Sequence, residues 1–158
     1  MGTHRAERSA SREHSVRLVK PQQFDSDTPQ TRGMRRAAAI SHELAGADRI
    51  WAGLTTVGAH TATGKHHHGE LETIIYIRSG SIRMQWGDNL EFEADADAGD
   101  FVYVSPIVPH KEINAASAVS EWVIVRNGRD PIVVSLEPAG PTEQEATETI
   151  HGRRWAGR

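Results

Sequence analysis

The chain has no cysteine, which excludes disulfides, thiolate catalysis and any sulfur-based metal site. No apolar run approaches the ~20 residues of a membrane span, and the amino terminus lacks the apolar core of a signal peptide. The formal charge of −3 gives no electrostatic reason to expect nucleic acid or an anionic membrane surface as a partner. There is no glycine-rich phosphate loop, no alternation of strand and helix patterns and no helix-turn-helix pattern. Hydrophobic residues make up 37%, low enough that part of the chain is expected to stay unpacked. What remains is a soluble cytoplasmic protein, and 158 residues suit one domain with tails.

The tails are read from polarity. Residues 1–15 are charged and without periodicity, so a disordered segment is expected there. Residues 137–158 are again polar, although Thr142-Glu143-Gln144-Glu145 matches a helix-capping box and predicts a short helix through Ile150. Between them lies one predicted domain, 16–136. Val16–Val19 reads as a short edge strand and Pro21–Gly33 as loop. Met34–Ile40 has alanine-rich helix propensity, yet the short segments that follow argue for a strand. Further strands are predicted at Ile50–Val57, Thr73–Ile77, Ser81–Trp86, Phe101–Val104, Trp122–Arg126 and Ile132–Val134. Leu90 to Ala98 alternates strictly, predicting one buried and one wet face. Short strands separated by Gly and Pro turns make an all-β sandwich or barrel the expectation.

The chemistry concentrates in His66-His67-His68-Gly69-Glu70-Leu71-Glu72. In an extended strand, residues two apart share a face, so His66 and His68 can aim two imidazoles at one point while His67 points away. Imidazole with carboxylate suits a divalent first-row metal. The alternative is a polar, histidine-rich loop that binds nothing.

Two blocks together resemble the cupin family of small β-barrels. The first is His66-x-His68, Glu72 and Gly80; the second is Gly99-Asp100, Pro106, Pro109, His110 and Asn114. The resemblance covers roughly residues 34–136. It implies a single jelly-roll barrel in which His66, His68, Glu72 and His110 converge on one metal, with iron, manganese, nickel and zinc all open. Two departures accompany it. The usual leading glycine of the first block falls at His60, a fifth candidate ligand, and the commonest glutamate position falls on Thr73. A β-bulge between Gly69 and Thr73 is expected to turn Glu72 inward; Glu70 and a site of histidines and water are the alternatives. Glu112 and Asn114 share strand parity with His110 and are expected to line the pocket, which makes Glu112 a candidate general base or a carboxylate at the barrel mouth.

The resemblance further implies action on a small organic molecule, in the manner of dioxygenases, isomerases, decarboxylases or polyketide cyclases. A non-catalytic barrel that binds or senses a small molecule is the alternative, and a metal-free structural barrel is the third. A homodimer is expected, with Val16–Val19 offering an edge for sheet extension.

Overall fold

The alternation read from the sequence becomes two antiparallel sheets facing one another; the computed structural model describes residues 15–137. The expected amino-terminal tail and the capping box at Thr142 lie outside the described residues, apart from Ser15 and Glu137. In one sheet the order is β1 (Met34–Ile40), β2 (Trp51–Val57), β10 (Ser120–Arg126), β5 (Thr73–Ser79) and β8 (Phe101–Val104). In the other it is β11 (Val134–Ser135), β4 (His66–His67), β9 (His110–Asn114), β6 (Ser81–Trp86) and β7 (Phe92–Asp97), with β3 (Thr61–Ala62) also paired to β9. Among the described residues no helix is long and apolar enough to cross a membrane.

Period-2 burial builds the interior. On β5, Thr73, Ile75 and Ile77 face inward; on β10, Ser120, Trp122, Ile124 and Arg126 do. Val57, Ile75, Ile77, Ile82, Trp122 and Ile124 are almost fully buried and form the apolar centre. Toward one end the inner faces turn polar: Arg126 pairs with Trp51 on one side and Thr73 on the other, and Thr73 pairs with Val104. That end faces β4 and β9, which carry the histidines.

The alanine-rich Met34–Ile40 segment is a strand, as its neighbours argued. Its pairing with β2 runs from Met34 opposite Val57 to Ile40 opposite Ala52, so tertiary hydrogen bonding overrides helix propensity. A one-turn helix that the sequence reading did not expect follows, α1 (His42–Ala45). Its cap is the Ser41 hydroxyl, which accepts from the Leu44 amide, and it ends at Gly46 with φ 71°.

Three expectations are corrected. Val16–Val19 is not a strand of either sheet, and Val16 and Leu18 are exposed, so the segment lacks the buried face a strand would need. The Ile132–Val134 strand shrinks to Val134–Ser135, paired only with β4. The apolar row of Leu90–Ala98 is not buried: Phe92 is 53% exposed, because β7 is an edge strand whose Ala94 and Ala96 border a cavity, and only Ala96 also packs against the core. Its acidic row is the solvated face expected, with Arg83 bonded to Asp95 at 2.7 and 3.0 Å.

The turn between β5 and β6 depends on Gly80. Its φ is +75°, and a Cβ there would fall 2.2 Å from Ser120 Oγ and 2.9 Å from Ser120 Cα. That serine is fixed, accepting from the Ser81 amide and donating to the Ser81 carbonyl. Gly80→Ala should therefore cost roughly 2 kcal/mol or more, read from the midpoint of urea unfolding. An unchanged midpoint would mean that the turn can relax.

Candidate metal centre

Pairing brings the histidines together. His66 on β4 sits directly opposite His110 on β9, and His68 lies two residues beyond His66 on the same face. Glu112, two residues beyond His110, points the same way. All four are buried, and one ligand atom from each can be chosen so that all lie within 4.8 Å of one another. The three imidazole centroids are 4.4, 4.9 and 5.1 Å apart.

Backbone carbonyls orient the rings. Nδ1 of His66 lies 2.8 Å from the Gly64 carbonyl, Nδ1 of His68 2.7 Å from that of Ile132, and Nδ1 of His110 2.8 Å from that of Val108. A carbonyl only accepts, so each Nδ1 carries the proton and each Nε2 keeps a lone pair turned inward. His110 Nε2 and Glu112 Oε1 are buried without a hydrogen-bond partner. They stand 3.7 Å from each other, too far for a hydrogen bond. Buried acceptors facing one another without a donor are costly, and a cation among them removes the cost. Nitrogen and carboxylate donors suit iron, manganese, nickel or zinc. The residues fit a metal.

Electrostatics agree with neutral ligands. Burial holds His66 below the ordinary imidazole range, with His110 and Arg126 acting in the same sense and Glu112 opposing. Burial, then the Arg126 guanidinium, pushes His68 down to about 3. For Glu112, burial alone would raise the carboxyl, but His110, His66 and Arg126 more than offset it and hold the group below the usual carboxylate range.

These directions predict acid sensitivity in chelator-treated protein. As pH falls below 6.5, the unfolded chain takes up protons on His66 and His68 that the folded centre refuses. Stability should thus be full above 6.5 and decline toward about 3, and Glu112 adds loss in the same direction below 4.5. Each fully refusing histidine contributes a slope of about 1.4 kcal/mol per pH unit. The check is the urea midpoint at about pH 7.5 and about pH 5.5; equal midpoints would contradict buried neutral imidazoles.

The other sequence candidates lie elsewhere. Glu72 is exposed, and its carboxylate accepts from Tyr103 Oη at 2.8 Å and Asn127 Nδ2 at 3.2 Å. The segment after His68 is irregular, with Gly69 at φ +59° and the Leu71 amide bonded to the His68 carbonyl. It delivers Thr73 to the inner face, not Glu72. No bulge turns Glu72 inward: its amide donates to Asn127 Oδ1 at 2.7 Å, and it lies on the face opposite Thr73, which the register of β5 with β10 and β8 keeps inside with Ile75 and Ile77. Glu70 and His60 are exposed and stand outside the group. His67 points away, its Nδ1 accepting from the Gly69 amide. Asn114 is buried, but its amide group donates to the carbonyls of Val57, Gly58 and Ala118, so it ties loops together rather than lining a pocket.

Arg126 was missed by the sequence reading. It is buried, its Nη2 lies 3.3 Å from His68 Nε2, and its guanidinium carbon is 5.6 Å from the Trp51 ring centre. Its parity with Trp122 and Ile124 was the available signal. His110 also forms part of the wall of a cavity of about 490 Å³, with Met84, Trp86, Val102, Val104 and Val108.

A sequence profile described as a cupin domain matches residues 53–126, which hold both histidine blocks and Arg126. Over that stretch the chain is similar to cupin domains. Solved structures agree on the fold. The barrel here resembles a mutant of Bacillus subtilis oxalate decarboxylase OxdC at 23% identity and a TM-score of 0.61. That match covers 68% of this chain and 29% of the decarboxylase, so the chain spans less than a third of that enzyme's length. It also resembles an uncharacterized conserved protein with a double-stranded beta-helix domain from Klebsiella pneumoniae subsp. pneumoniae MGH 78578. Identity there is 14% and the TM-score 0.60, over 78% of this chain and 100% of that one. No curated protein matches the sequence.

Proposed function

We infer that this cupin holds one divalent transition metal on His66, His68, His110 and Glu112 and acts on a small organic molecule. The observation that carries this is the set of buried acceptors, three Nε2 lone pairs and the Glu112 carboxylate, turned on one point with no donor for His110 Nε2 or Glu112 Oε1. A bound metal would supply Lewis acidity or redox chemistry. The chain's own residues do the rest. The carbonyls of Gly64, Ile132 and Val108 fix the ring tautomers, and the Thr63 hydroxyl accepts from the Glu112 amide, bracing the strand that carries the carboxylate. The mainly apolar cavity beside His110 offers room for an organic substrate next to the metal. Glu112, placed among the ligands, is no longer free to act as a general base. Manganese is a natural first choice, since one of the oxalate decarboxylase structures is described by its Mn(II) centers; iron, nickel and zinc suit the same donors.

A non-catalytic binding barrel is the second reading, favoured by the absence, among the described residues, of a second buried carboxylate to serve as a base. Elemental analysis of untagged protein tests the metal, with about one first-row ion per chain expected. A chain that stays metal-free after incubation with each of the four ions would refute the reading. Homodimerisation belongs to the same proposal, and a light-scattering mass of one chain would count against it.

A further inference from the structure

A cavity of about 230 Å³ is lined by Pro29, Arg36, Trp51, Arg126, Pro131 and Val133, and no carboxylate borders it. Both of its guanidiniums hold donors in reserve. Arg126 is buried; its Nη2 reaches the His68 ring, and its Nε has no hydrogen-bond partner. Arg36 Nη1 donates to Thr31 Oγ1 at 2.9 Å, whereas its Nη2 meets the Met34 sulfur at 3.9 Å, a weak acceptor. Among the described residues neither arginine is in an ion pair. Arg126 also borders a different cavity beside Glu72, but that carboxylate accepts from Tyr103 and Asn127. Burial, opposed by Glu112 and reinforced by Arg36, lowers the pKa of Arg126 to about 10. Two guanidiniums on one cavity wall repel each other, and burying one without a paired counter-charge is costly.

We propose that this cavity is a binding site for a small oxyanion, held between Arg36 and Arg126 and separate from the cavity beside His110, with which it shares no lining residue. Guanidinium N–H groups form a fork that matches two oxygens of a carboxylate or a phosphate, and such charge-assisted bonds are the strong ones. The volume admits an anion of a few heavy atoms. Trp51 lies under the fork, its ring centre 5.6 Å from the Arg126 guanidinium carbon, and steadies it. Bound there, the anion would also offset the charge that Arg126 sets beside His68. Nothing in this site requires a metal, so the inference stands or falls apart from the metal reading.

Calorimetric titration of the full-length protein with sodium acetate and with inorganic phosphate, at neutral pH and constant ionic strength, tests the site. At least one of the two should saturate about one site per chain with a dissociation constant of about 5 mM or tighter. Acetate alone identifies a carboxylate site, and phosphate alone a site for tetrahedral oxyanions. Arg36→Gln should weaken binding about tenfold or more. A second pair of variants leaves both arginines in place. Val133 lines the cavity and is 53% exposed, so Val133→Glu sets a carboxylate in the wall, where it competes with the added anion. Val133→Gln, of the same shape without the charge, should bind about tenfold or more tightly than Val133→Glu. No saturation by either anion would overturn the proposal. So would undiminished binding by a folded Arg36→Gln, or equal binding by the two Val133 variants.

Discussion

Replacing any one of His66, His68 or His110 by alanine is expected to weaken metal binding about a hundredfold or more. Each substitution removes an Nε2 lone pair and frees the carbonyl that oriented it, so the remaining ligands lose both a bond and their geometry. Glu112→Ala should have an effect of the same order, because it removes the only carboxylate in the group. His67→Ala and Glu72→Gln are the controls. The first side chain turns back to the Gly69 amide, and the second is engaged with Tyr103 and Asn127 on the outside. Both should bind metal as the parent does, measured by competition with a chromophoric chelator. Loss of metal from Glu72→Gln with retention in Glu112→Ala would reverse the assignment of the carboxylate.

Trp122→Ala should be the most destabilising single change in the interior. The side chain is fully buried at the centre of β10, between Thr55 of β2 and Ile77 of β5 in the pairing. Its truncation opens a cavity where the two sheets meet, and large-to-small changes of this kind cost about 3–5 kcal/mol. For a domain whose whole stability is about 5–15 kcal/mol, that leaves little. The indole nitrogen also donates to the Ser81 carbonyl at 3.2 Å, but that oxygen keeps the Ser120 hydroxyl at 2.8 Å, so the loss is chiefly of packing. Trp122→Phe, which keeps most of the volume, should cost only about 1–2 kcal/mol. Urea unfolding at neutral pH distinguishes the two; an alanine variant within about 1 kcal/mol of the parent would mean that the sheets pack elsewhere.

Much of the barrel could be read from the chain because the signals are local. Alternation along Trp51–Val57, Thr73–Ser79 and Ser120–Arg126 sets which residues face in, and Gly80 and Gly99, both at positive φ, mark turns. The His66-x-His68 spacing places both rings on one face wherever that strand pairs. The acidic row of β7 was legible as solvated for the same reason. Its apolar row was misread because alternation predicts two different faces but says nothing of what the inner one meets; here it meets a cavity.

The carboxylate shows where local reasoning ends. Glu72 stands four residues after His68 and was expected among the ligands, yet the pairing of β5 between β10 and β8 commits Thr73, Ile75 and Ile77 to the inside and sends Glu72 out. Glu112 had the right parity all along, but only the bond partners of β9, with His110 opposite His66, bring its carboxylate within 4.8 Å of the three imidazoles. Arg126 is further still in sequence from the histidine it reaches, 58 residues from His68. Alternation and turn chemistry act over a few residues, so the central strands, the Gly80 turn and the shared face of His66 and His68 were legible in the chain. Which acid joins those histidines, and which cation stands over them, was decided by strand order and register, because both depend on which distant segments the buried faces choose as neighbours.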